Sequence, residues 1–245
     1  MRKFFKTTSI AIGMILFVGI IGASKPKETT SAKKAAVDET PRPTMIASRA
    51  LIQDDFSGVE SEPIVRAFVS WMTTTNGDVM ITPPTEQDGA YFDLLMNDSS
   101  GNVNVFDMDL TADGSKPQPW SEACRHTFYV LRLTSRHPVV KMLDKERGGE
   151  SKEILAFTFT GCMYKFIAVV ADRMRDENLM YTTMMHELGH MWGLLDNTAG
   201  PNSIMNGSWP GAMCITKKDV KDLYELHGRG DSIPADAGCD PRKVN

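Results

Sequence analysis

The stretch "HELGHMWGLLDN", residues 186–197, decides how the rest of the chain is read. His186 and His190 are four residues apart, which on a helix sets them one turn above the other on a single face. Two imidazoles so placed can grip one zinc ion at about 2.0–2.1 Å. Glu187 adjoins the first of them, and from there a carboxylate reaches a water at the metal without binding the metal itself. That is what a general base for hydrolysis needs. The run before it, "LMYTTMM" (179–185), is apolar nearly all round, so a buried helix is expected to start at Asp176 or Asn178. Burying two histidines and a glutamate there is costly unless something compensates them.

The residues after His190 sharpen the expectation. Gly193 can take left-handed backbone angles and break the helix sharply. The returning chain then aims Asp196 at the metal, and a carboxylate oxygen is a good zinc ligand at about 2.0–2.2 Å. Asn197 is a poorer candidate for the same place. The chain holds five histidines, and His126, His137 and His227 are all less well placed than Asp196 to complete the shell. His126 and His137 are expected at the surface rather than on a second zinc.

The pattern H-E-x-x-H-x-x-G-x-x-D over residues 186–196 resembles the metzincin metallopeptidases, whose signature ends in a third His. The snapalysin branch is similar in carrying Asp at that position. "NSIMNG" (202–207) resembles the metzincin Met-turn, which implies that Met205 forms an apolar floor under the metal. The Tyr that astacins and serralysins carry shortly after this Met is absent, so the region is closer to the matrixins. "SWPGAM" (208–213) falls where the family builds the wall of its S1′ pocket, and "ITKKDVKDLYELHG" (215–228) is similar to the helix closing a matrixin catalytic domain. The resemblance is strongest over 165–228 and rests on element order from about 45 to 164. It implies an α+β, metzincin-like zincin fold: a mixed twisted β-sheet, a buried active-site helix and a C-terminal helix. It also implies a zinc metalloendopeptidase with His186, His190 and Asp196 as metal ligands and Glu187 as general base. A zinc-containing binding module with little proteolysis, or a zinc hydrolase of non-peptide amides, are the alternatives.

Composition fits this reading without proving it. The chain has 245 residues, 42% hydrophobic and 24% charged, which suits one domain with a tail. A net charge of −4 with no basic block argues against nucleic acid as a partner. The expected partner is a protein or peptide substrate, and the expected state a monomer. "MRKFFK" followed by the uncharged run Ile10 to Ala23 reads as a signal peptide or, alternatively, an uncleaved signal anchor, over residues 1–24. Residues 25–45 are poor in groups to bury and read as a flexible linker or short pro-segment, leaving 46–245 as the catalytic domain with its tail. The product is then secreted or extracytoplasmic, with a membrane partner only if the segment stays. In that compartment Cys124, Cys162, Cys214 and Cys239 favour two disulfides, Cys214–Cys239 and Cys124–Cys162, over four buried thiols. The linker holds no Cys for a matrixin-type latency switch.

Weaker signals complete the reading. The acidic "NDSSGNVNVFDMD" (97–109) could offer calcium oxygens, though not at EF-hand spacing. "RGD" at 229–231 is read as part of a turn-rich tail. Strands are expected at "RALIQDDF" (49–56), "DVMIT" (78–82), "NVNVFDMDL" (102–110), "TFYVLRL" (127–133), "EILAFTF" (153–159) and "KFIAVVAD" (165–172), the last buried and central. A helix capped by Ser61 should bury Ile64, Ala67, Phe68 and Trp71 and end at Asn76-Gly77. A closing helix should start at Thr216, with Asp219 in a capping box, and stop at Gly228.

Overall fold

The computed structural model describes residues 44–89, 126–147, 153–161, 165–196, 203–207 and 214–239. They form a five-stranded sheet of β1 (Ile46–Ile52), β2 (Val79–Thr82), β3 (Thr127–Leu133), β4 (Ala156–Thr160) and β5 (Lys165–Val170), in the order β2-β1-β3-β5-β4. Its first four members in that order run parallel, and β4 lies antiparallel to β5 at the edge. The helices are α1 (Gly58–Thr74), α2 (Pro138–Arg147), α3 (Glu177–Met191) and α4 (Lys217–Leu226). The architecture is therefore of mixed α+β type, with a mostly parallel sheet.

The two-residue period of a strand explains why β3 and β5 read as unbroken apolar runs. Phe128, Val130, Ile167 and Val169 face one core with α1 and α3, while Tyr129, Leu131, Phe166, Ala168 and Val170 face a second core with Val140 of α2. Both faces are covered, so neither strand needs a polar side. All six residues of β5 are buried, as expected of a strand inside the sheet.

Several sequence expectations need correction. The first strand begins at Ile46 and stops at Ile52, because Gln53 to Phe56 turn the chain into α1. Ser57, not Ser61, caps α1: its side chain accepts from Glu60 N while Glu60 accepts from Ser57 N at 2.8 Å. That reciprocal pair satisfies two end groups at once, which a cap four residues later could not. Pro63 consequently sits inside the helix, and Ile64, Ala67, Phe68 and Trp71 are its buried face as expected. Helix α2 has no counterpart among the elements expected from sequence. Asn76 and Gly77 both take positive φ, ending α1 where the Asn-Gly pair predicts. The strand expected at 102–110, the Cys124–Cys162 pair, the acidic stretch 97–109, the segment 208–213 and residues 1–43 lie outside the described residues. Among the described residues no helix is long and apolar enough to cross a membrane.

Candidate metal centre

Helix α3 carries the centre. Asp176 caps it, accepting from Leu179 N at 2.8 Å, and Met180, Met184, Met185, Leu188 and Met191 anchor it in the first core. From α1, Trp71 donates its indole N–H to Met185 O at 2.9 Å and meets Trp192 edge to face. The helix is thus fixed against the sheet before its polar residues are placed.

His186 and His190 stand on one face with Nε2 atoms 3.0 Å apart. Helix α3 then ends in a Schellman turn: Gly193 has φ of +97°, its N–H donates to His190 O, and Leu194 N–H reaches back to Gly189 O. The turn returns the chain beneath the histidines and sets Asp196 Oδ1 at 3.3 Å from each Nε2. Among the described residues these three form the group of ligand atoms able to hold a metal ion, all within 4.8 Å of one another.

The protons decide what this group can hold. His190 Nδ1–H donates to Leu194 O and His186 Nδ1–H donates to Ile204 O, each at 2.8 Å. A carbonyl oxygen only accepts, so each Nδ1 carries the proton and a neutral ring presents a bare Nε2. Two lone pairs and a carboxylate oxygen therefore converge on one point. Ligands about 2.0–2.1 Å from a tetrahedral zinc are roughly 3.3 Å apart, close to the spacings here. An imidazole that takes a second proton, at Nε2, donates it to Asp196, and such bonds from His186 and His190 hold the Asp196 carboxyl well below the usual carboxylate range. Burial opposes a charge on His186, yet Asp196, Glu187 and Ile204 O together raise its pKa. The cluster draws positive charge, which a proton on an imidazole or a metal cation can supply.

Two glycines and a methionine pack around these three residues. Met205 is buried, and its Sδ and Cε fill the space where a side chain on Gly189 would stand, between the two histidines on α3. Ser203 and Ile204, which precede it, are held by Asp219: it accepts from Ser203 Oγ, from Ile204 N at 3.1 Å and from Thr216 N at 2.8 Å. The expected capping box at the start of α4 thus also fixes the loop whose carbonyl orients His186. Gly207 closes the other side, where a Cβ would come within 3.0 Å of the Asp196 carboxylate.

Glu187 is 6% exposed, and its Oε2 accepts from the Thr158 hydroxyl of β4 at 2.6 Å. Thr158 and Gly207 had no signal in the sequence; Asp219 did, but only as a helix cap. The other histidines stand apart from the centre. His137 is half-buried, its Nδ1 accepts from Val139 N, and burial lowers its pKa. His126 is likewise half-buried rather than on the surface. His227 donates to Trp192 O at 3.1 Å and so braces the end of α3. Arg229 of the "RGD" stretch lies 3.8 Å from Asp78, within the scaffold. The Cys214–Cys239 disulfide joins the chain just before α4 to the C-terminal tail. No protein-family model and no curated protein matches the chain.

Proposed function

We propose that the chain is an exported zinc-dependent metalloendopeptidase with a metzincin-like fold, in which His186, His190 and Asp196 hold the metal and Glu187 is the general base. One observation carries the reading: both histidines spend their Nδ1 protons on backbone carbonyls, so in the neutral rings two bare Nε2 atoms and a carboxylate oxygen converge. Bound zinc supplies a Lewis acid that acidifies water and polarises a carbonyl. Glu187 takes the proton of the attacking water on its free oxygen and delivers it to the leaving amine. The carbonyls of Ile204 and Leu194 keep the imidazoles in the ligating tautomer throughout.

A peptide suits the site better than a compact amide. Among the described residues β4 pairs on one side only, with β5, and its Thr158 touches the base. An extended peptide can add to such an edge through main-chain hydrogen bonds. The Cys214–Cys239 disulfide supports an oxidising, extracytoplasmic setting. Calcium binding through residues 97–109 stays a subsidiary expectation.

Casein hydrolysis by wild type and Glu187→Gln, with zinc measured on both, tests the reading. We expect one zinc per chain in each and a loss of about 10³-fold in kcat in the variant. Zinc binding with no hydrolysis of casein by the wild type would make the site a binding module. Turnover confined to small amides would make it an amidase.

A further inference from the structure

Strand β4 carries residues of two kinds. Phe157 and Phe159 turn to the second core, against Phe166, while Ala156 and Thr158 turn to the face on which α3 lies. Thr158 is thus directed at the helix at the level of Glu187. Its hydroxyl is 2.6 Å from Glu187 Oε2 and 3.1 Å from Glu187 O. A hydroxyl has one proton, and the shorter, charge-assisted contact to the carboxylate takes it. Glu187 is buried, so this contact fixes one carboxylate oxygen and leaves Oε1 to meet a water.

We infer that Thr158 is the positioning residue of the general base: its hydroxyl locks the Glu187 carboxylate in the rotamer that presents Oε1 to the attacking water. The inference rests on the peptidase reading above. It also gives the edge strand a second task. The strand that can receive an extended peptide is the strand whose side chain holds the base, so substrate and base share one rigid reference. Among the described residues no acidic or amide side chain hydrogen-bonds the Glu187 carboxylate. A hydroxyl suffices because the strand and helix are both anchored, β4 through its pairing with β5 and α3 through the core.

Thr158→Val keeps the shape and removes the proton donor, and Thr158→Ser keeps the donor with less bulk. In the full chain loaded with zinc, we expect Thr158→Val to lose about 10- to 100-fold in kcat, with KM within about twofold and one zinc per chain. Thr158→Ser should recover kcat to within about threefold of wild type. In a Glu187→Gln background, Thr158→Val should cost no more than about twofold, because the group it positions is already gone. An unchanged kcat in Thr158→Val would overturn the inference. So would a Ser variant as slow as the Val variant, which would assign the loss to packing, or an equal loss with and without Glu187. An inactive wild type that binds zinc would instead overturn the peptidase reading, a result distinct from any of these.

Discussion

Asp88 and Asp196 are both drawn into polar clusters, and the difference between them separates scaffold from site. Asp88, on the segment after β2, is 3% exposed and accepts from Arg49 Nε at 2.7 Å, Thr85 N at 2.8 Å, Thr85 Oγ1 at 2.7 Å and Thr127 Oγ1 at 2.6 Å. Every one of those partners is a donor, so the hub is complete within the chain. Asp196 meets two imidazole nitrogens whose protons are committed elsewhere. With neutral imidazoles its cluster is all acceptor, a set of groups that could hold a metal ion. A buried polar group is usually satisfied; what marks a site is convergence of groups of one kind.

Two substitutions test that contrast. Asp88→Asn leaves the Thr and Arg donors of a closed hub short of acceptors and should cost about 2 kcal/mol of stability, moderated because Arg49 is partly in water. It should leave zinc content and kcat unchanged. Burial favours the neutral Asp88 carboxyl, but the bonds from Thr127, Thr85 and Arg49 prevail and hold its pKa well below the ordinary value of 3.8. A depressed carboxyl contributes its stability above that ordinary value and loses it as pH falls further. Urea midpoints of wild type should therefore drop below pH 3.8 more steeply than those of the variant. A smaller effect is expected at the open cluster. Gly207→Ala puts a methyl group against the Asp196 carboxylate and should weaken zinc binding about tenfold in competition with a chromogenic chelator, at nearly unchanged stability. If Asp88→Asn released zinc, or Gly207→Ala did not weaken it, the division between closed hub and open site would fail.

What could be read from sequence was what is local. The four-residue spacing of His186 and His190, the break at Gly193 and the reach of Asp196 all lie within eleven residues, where helix geometry alone fixes direction. The capping box of Thr216 and Asp219, and the apolar runs that became β3 and β5, are equally short-range signals. What escaped is set by contacts across the fold. Thr158 reaches Glu187 across 29 residues of sequence, and a threonine in a strand carries no mark of that use. Gly207 matters only because Asp196 returns beneath it. The cap of α1 is equally local, since Ser57 and Glu60 have capping-box spacing, although Ser61 was the expected cap. Helix α2 was hidden by its opening Pro138-Val139-Val140, where β-branched residues weaken a helical reading. Its burial of Val140 against the sheet overrides that preference.

The decisive experiment is zinc content per chain, measured by elemental analysis on wild type and Asp196→Ala purified side by side, with casein hydrolysis on the same samples. We expect one zinc in the wild type, lost or much weakened in the variant together with activity. Full zinc and full activity in Asp196→Ala would contradict the proposed centre, because a group other than the carboxylate beneath the turn at Gly193 would then complete the shell.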